Sequence, residues 1–170
     1  MRHWLKFVVG WILCLGFRFL PFRPPNFETV LATQMPFAKK MGPVAAFAFG
    51  SMSMFFFDAA TGFIGWWTLI TAVSYGLVGV AAPYALRKMD YVSYAIVATV
   101  AYDLMTGLTM GPLLFGQPIS EALIGQIPFT AMHLLGNAIF ALILSPLVER
   151  WIASNARLEF GVRKTELTVA

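Results

Sequence analysis

Polar side chains recur at helical intervals within several apolar stretches of this 170-residue sequence. Gln126, Thr130, His133 and Asn137 follow one another at steps of four, three and four residues, which places them on one face of a helix. Two shorter stripes obey the same rule, and they comprise Thr68, Thr71 and Tyr75 in one stretch and Thr99, Tyr102, Asp103 and Thr106 in the next. Such groups on facing helices can bind a polar ligand, although Ser and Thr also join helices by hydrogen bonds.

The same residue types do not form a catalytic or metal-binding pattern. No Ser/His/Asp set, no inner pair of carboxylates and no metal-ligand spacing is present, and the chain has two histidines and one cysteine. The sequence therefore predicts that the protein is not an enzyme and that it binds no metal ion. For His133 two interpretations stay open: a ligand contact, or a core imidazole that is hydrogen-bonded to a Tyr or Thr side chain.

The composition indicates an integral membrane protein. Apolar residues make up 59% of the chain and charged residues 12%, with a mean hydropathy of +0.74, whereas soluble domains carry about 25% charged residues. Segments that approach the roughly 20 residues needed to cross a bilayer predict one all-α transmembrane domain of six helices. The second helix is expected to be short or broken, because it contains Gln34 and Pro36. The expected helices are 4–20, 27–38, 42–57, 65–86, 92–108 and 124–148, with a cytoplasmic tail over 151–170.

The distribution of lysine and arginine predicts the orientation. Of the 12 such residues, only Arg18 and Arg23 fall on the side opposite the N-terminus when the segments alternate. This bias predicts an even number of crossings with both termini in the cytoplasm, and it places the protein in the cell (plasma) membrane. It also accounts for the net charge of +4 without nucleic-acid binding.

Polar groups concentrate on the predicted outer side. The strap, by which we mean residues 18–26 (RFLPFRPPN), is stiffened by three prolines and is expected to face a long outer loop over 107–124. Charges at the edge of the apolar layer indicate either an ion pair of Arg18 with Asp103 or Asp58, or a polar pocket that opens outward. We predict that the pocket is lined by Arg23, Asn26, Asp58, Trp67, Tyr75, Tyr102, Asp103, Gln126, His133 and Asn137.

Within this layout, several short blocks resemble the substrate-binding S component of energy-coupling factor (ECF) transporters. The blocks are the strap leading into a short second helix, Gly65-Trp-Trp-Thr-Leu69, Tyr102-Asp103 with Thr106-Gly107, Gly125-Gln-Ile-Pro-Phe-Thr130, His133 and Gly136-Asn137. The resemblance covers nearly the whole chain. It implies a subunit that captures a vitamin or similar micronutrient from the outer side and topples in the lipid membrane against a transmembrane T component.

The resemblance also implies that two cytoplasmic ATPase subunits drive uptake, so that partners use ATP and this chain binds no cofactor. The sequence agrees, because it lacks a Gly-x-x-x-x-Gly-Lys-Ser/Thr loop for phosphates. Small residues on the first helix contact the T component in this family, and the nearest match here is Gly10 and Cys14. Two other classes stay open: a membrane scaffold of the MreD type, with its polar stripes packed shut, and a self-contained secondary transporter or channel.

Overall fold

The computed structural model of the protein describes residues 3–159, and every element within them is helical. Two π-helical turns, Met110–Leu114 and Glu149–Ala153, continue α5 and α6, and a short 3-10 helix follows at Ala156–Leu158. The six main helices are α1 Trp4–Arg18, α2 Val30–Met41, α3 Pro43–Thr61, α4 Trp66–Ala85, α5 Tyr91–Thr109 and α6 Ile119–Val148. The prediction of an all-α bundle is therefore confirmed.

Four of these helices are long and apolar enough to cross a membrane. They are Pro43–Thr61, Trp66–Ala85, α5 with its π-helical turn (Tyr91–Leu114) and α6 with its π-helical turn (Ile119–Ala153). α1 has 15 residues and α2 has 12, and at about 1.5 Å per residue α2 is only about 18 Å long. The count of six crossings and the side on which the termini lie stay predictions.

The short helix α2 is the centre of the bundle, because each residue from Val30 to Ala38 is buried. The second helix was expected to be short or broken: it is short, at 12 residues, and it continues through Pro36 without a break. A proline has no N–H to donate to the carbonyl four residues earlier, which here belongs to Ala32. The Ser145 hydroxyl of α6 donates to that carbonyl at 2.8 Å. A neighbouring helix thus satisfies the group that the proline leaves free.

Gln34 ties α2 to two neighbouring helices. Its amide nitrogen donates to the carbonyl oxygens of Ala46 on α3 and Tyr75 on α4, both at 2.8 Å. The contact requires glycine on each neighbour: a Cβ atom would lie 2.3 Å from Gln34 Nε2 at Gly50 and 2.1 Å from it at Gly79. Small residues let helices approach this closely in lipid, so Gln34 braces the bundle instead of interrupting it.

The long outer loop expected over 107–124 is not present. α5 and its π-helical turn run to Leu114 and α6 begins at Ile119, so only residues 115–118 connect them. Gly107, where the loop was expected to begin, lies inside α5 and makes room for the Gln126 side chain of α6, whose Oε1 would lie 1.9 Å from a Cβ there. Here glycine serves helix packing and not a turn.

Gly10 and Cys14 lie on the inner face of α1. A Cβ atom at Gly10 would be 2.9 Å from the rings of Phe37 and Phe49, and Cys14 is fully buried. The predicted contact of these two residues with a T component is therefore not available in this structure, because their own bundle already covers them. Gly16, by contrast, is exposed, and a Cβ atom added there would meet nothing within 4 Å.

Positive charges gather at one end of the bundle, which we call the basic end. Lys6 is only 2% exposed there, and its ammonium donates to the Ala153 carbonyl at 2.9 Å and to Glu159 at 2.7 Å. Glu149 accepts from three further side chains, namely Lys39, Lys40 and Tyr91. These bonds of Lys6 place the start of α1 beside the region that follows α6, as expected if successive helices run in alternating directions. The predicted tail lies outside the described residues from position 160 onward, as do Arg2, Arg163 and Lys164.

Asp90 caps the N-terminus of α5, and its carboxylate accepts from the Ser93 backbone N–H at 2.9 Å and from the Ser93 hydroxyl at 3.0 Å. These hydrogen bonds lower the pKa of Asp90. The cap contributes stability above the unfolded pKa of about 3.9, and this contribution is lost as pH falls through the lower folded pKa.

We expect Asp90→Ala to lower the melting temperature modestly at neutral pH, with the difference fading in strong acid. Asp90→Asn should keep the cap; equal melting of Asp90→Ala and wild type at neutral pH would contradict this.

Candidate functional site

A buried ion pair closes the end of the bundle opposite the basic end, which we call the strap end. Arg18, the last residue of α1, lies 3.3 Å from Glu28, and their side chains are 9% and 15% exposed. The guanidinium also lies 4.0 Å from the centre of the Phe57 ring. The predicted pairing of Arg18 with Asp103 or Asp58 is wrong. Glu28, the second residue after the strap, is the partner that helical spacing could not identify, because the backbone of the strap brings it there.

Breaking this ion pair should destabilise the protein. Glu28→Gln keeps the shape of the side chain but leaves the Arg18 guanidinium buried without a counter-charge, so we expect a loss of about 3 kcal/mol in the free energy of unfolding. Adding Arg18→Met should recover most of that loss. The matched control is Glu121→Gln, which changes an exposed carboxylate. Chemical denaturation in detergent measures all three, and an unchanged Glu28→Gln variant would show that the pair is dispensable.

A row of aromatic rings leads from the ion pair into the bundle. The Tyr75 hydroxyl donates to Glu28 at 3.2 Å, and the Tyr75 ring packs on Tyr102 with centroids 4.2 Å apart. Tyr102 meets the His133 ring edge to face at 5.7 Å, and Phe129 meets it in the same way at 5.8 Å. Rings in such offset and edge geometries attract one another. Three of the predicted pocket residues, Tyr75, Tyr102 and His133, thus form one row, and Phe129 joins them unpredicted.

His133 and Asp103 form a second buried pair, between α6 and α5. The His133 Nδ1 atom lies 2.7 Å from Asp103 Oδ1, and the residues are 2% and 1% exposed. One turn later in α6 and one turn earlier in α5, the Asn137 amide donates to the Thr99 hydroxyl at 2.8 Å, and Asn137 is 1% exposed. Neither interpretation of His133 foresaw a carboxylate partner. The spacing did predict that the polar residues of α5 share one helix face and that those of α6 share another.

Asp103, His133 and Asn137 each keep one side-chain polar atom without a hydrogen-bond partner. The atoms are Asp103 Oδ2, His133 Nε2 and Asn137 Oδ1, and all are shielded from solvent. Buried polar atoms are satisfied in the great majority of cases, since an unpaired one costs about 1–3 kcal/mol. We call Asp103, His133 and Asn137 the polar site. Its free atoms are the geometric feature that a bound polar molecule would explain.

Two other predicted residues lie beside this arrangement. Asp58 at the end of α3 is buried and accepts from the Thr68 hydroxyl at 2.6 Å, and its charge acts on the Tyr102 hydroxyl. Gln126 is half-buried and donates to Thr130 at 3.1 Å, nearer the start of α6. They belong to the surroundings of the polar site and not to its unpaired atoms.

Three predicted residues make only local contacts at the strap end. Arg23 donates to the Phe27 carbonyl at 2.9 Å, and Asn26 turns the chain with a positive φ of 63°, a conformation that Asn tolerates better than most residues. The Trp67 indole donates to the Phe63 carbonyl at 2.7 Å. Phe27, the residue that follows the strap, packs against Gly136 of α6, between His133 and Asn137. The prolines and the turn of the strap thus place the apolar Phe27 side chain beside the polar site.

Comparisons of the chain with protein-family models, curated proteins and solved structures found no match. The structure by itself defines an all-helical bundle with four helices apolar enough to cross a membrane and a buried polar site near the middle of α5 and α6. Within the described residues, no group of three or more His, Cys, Asp or Glu side chains is placed to hold a metal ion. The chemistry that the site offers is hydrogen bonding and charge.

Proposed function

We propose that the protein is the substrate-capture subunit of an ECF-type importer, which binds a vitamin-like micronutrient at the polar site and delivers it through a T component driven by two ATPases. The observation that carries the proposal is the set of unpaired buried atoms of Asp103, His133 and Asn137. Unpaired buried polar atoms cost stability. A polar ligand bound between α5 and α6 would pair all three of these atoms at once.

The placement of the site suits a ligand held inside the apolar bundle. The polar site lies near the middle of α5 and α6, and Phe27, the residue that follows the strap, contacts α6 at Gly136 beside it. Ionisable residues inside apolar helices commonly mark the path or the binding site of a polar solute. The proposed ligand enters from the strap side.

A self-contained secondary transporter is the second candidate. The close Asp103–His133 pair favours it, because buried carboxylate and imidazole groups form proton relays in pumps and transporters. The two candidates differ in their source of energy. A secondary transporter moves solute in liposomes on an ion gradient alone, whereas a capture subunit requires the T component and the ATPases.

The first test is mass spectrometry of small molecules that co-purify with the detergent-solubilised protein. A stoichiometric molecule is expected from wild type and from the control variant Thr71→Val, whose hydroxyl bonds the carbonyls of its own helix. Co-expression with a T component and two ATPases should then give a complex that accumulates this molecule only with ATP. Uptake without ATPases would favour the secondary transporter, and an empty protein that assembles with no partner would favour the scaffold.

A further inference from the structure

We propose that the polar site takes a small organic cation, namely a flat ring that carries N–H donors, such as an amidinium or a protonated aromatic amine. The inference rests on the proposed function, because it names the class of molecule that the same site captures. It is carried by the character of the unpaired atoms, by the balance of buried charge and by the rings around the site.

The unpaired atoms are hydrogen-bond acceptors. Asn137 Oδ1 is an amide oxygen and can only accept. Asp103 Oδ2 is likewise an acceptor as long as the carboxyl group is ionised. His133 Nδ1 donates to the Asp103 carboxylate, and a neutral imidazole with its proton on Nδ1 presents Nε2 as an acceptor. With the carboxyl ionised and the imidazole neutral, the three unpaired atoms of the site are all acceptors. A ligand that fits it must bring N–H or O–H groups, and a carboxylate or phosphate ligand would meet like groups.

The buried charge is also unbalanced toward the negative. Glu28, Asp58 and Asp103 all act on the Tyr102 hydroxyl, as does one guanidinium, that of Arg18. Arg18 is already paired with Glu28, and Asp58 receives its hydrogen bond from a threonine hydroxyl. Carboxylates without a counter-charge are costly away from water. A cationic ligand offsets this deficit, and protonation of the imidazole would reduce the deficit without removing it.

Aromatic rings flank the acceptors. Tyr75 and Tyr102 pack 4.2 Å apart, and Phe129 and Tyr102 both meet the imidazole of His133 at nearly right angles. Aromatic faces attract cations, and they also stack with flat rings. The combination of acceptors, negative charge and rings matches a flat cation better than an aliphatic or anionic solute.

The decisive experiment compares three probes that share one ring, benzamidine, benzamide and benzoate, by calorimetry and thermal shift on wild-type protein in detergent. They differ in charge and in hydrogen-bond donors, while their size is nearly constant. Benzamidine should bind about tenfold or more tightly than benzamide, since hydrogen bonds to a charged partner are stronger, and benzoate should not bind. Asp103→Asn should remove the preference for benzamidine, and Asp90→Asn, the same change at an exposed cap, should keep it.

Several results would overturn the inference. Binding of benzoate as tight as that of benzamidine would do so, as would a wild type that responds to none of the probes at millimolar concentration. An anionic molecule found co-purifying with the protein would also overturn it while leaving the capture function intact. If Asp103→Asn fails to fold, the order of the three probes on wild type decides the question without it.

Discussion

Gly79→Ala is expected to destabilise the bundle by about 3 kcal/mol or more, because overpacking and the loss of buried hydrogen bonds act together. The new methyl group would lie 2.1 Å from Gln34 Nε2 and 2.9 Å from the Ala46 carbonyl oxygen. Gln34 cannot retreat without breaking its bonds to the backbone of α3 and α4. Thermal unfolding in detergent, followed by circular dichroism, measures the loss.

The control for this prediction is Gly125→Ala. Gly125 lies inside α6, and a Cβ atom there meets nothing within 4 Å, so alanine should leave stability unchanged or raise it slightly by its helix propensity. The double variant Gln34→Ala with Gly79→Ala should lose less free energy of unfolding than the sum of the losses in the two single variants. Removing the Gln34 side chain also removes its clash with the new methyl group. Strict additivity, or a stable Gly79→Ala protein, would show that Gln34 is not the brace.

His133→Leu is expected both to destabilise the protein and to abolish retention of the co-purifying molecule. The change leaves the Asp103 carboxylate buried without the partner that now lies 2.7 Å away, and breaking a buried pair in this way costs about 3–5 kcal/mol. The double variant His133→Leu with Asp103→Leu should recover much of the stability, since apolar side chains often replace a buried pair at no net cost. It should remain empty in mass spectrometry.

The two readouts separate a binding role from a structural one. If the pair only held α5 to α6, the double variant would regain stability and there would be no bound molecule to lose in the wild type. A double variant that still carries the molecule would place the ligand elsewhere. Thr71→Val serves again as the control, because it changes a polar group of α4 that bonds only within its own helix.

The positions of the helices could be predicted from hydropathy, and the faces of α5 and α6 from spacing. Burial of Tyr102, Asp103, His133 and Asn137 follows from a period of 3.6 residues, which is a property of each helix by itself. The partners across helices do not follow from periodicity. Glu28 reaches Arg18 only because the strap folds back over α1, and the sequence carries no signal for that path.

Glycine and proline gave the least reliable predictions, because each has more than one use. The predicted loop began at Gly107, and Pro36 was one reason to expect a short or broken second helix. Both residues lie inside continuous helices, where a neighbour fills the space or satisfies the free carbonyl. The same ambiguity affected Gly10 and Cys14, since small residues four apart allow close approach without saying which helix approaches. In this fold, the helices that approach α1 at Gly10 are the protein's own α2 and α3.

The dependence of α2 on α6 has a consequence for biosynthesis. The Ser145 hydroxyl that satisfies the Ala32 carbonyl is supplied from 113 residues later in the chain, so α2 leaves the ribosome long before its last hydrogen-bond donor exists. Lipid cannot satisfy a free carbonyl, whereas the Gln34 amide finds its partners earlier in the chain, on α3 and α4. α6 is therefore the last element needed to complete the polar contacts of α2 within the bundle.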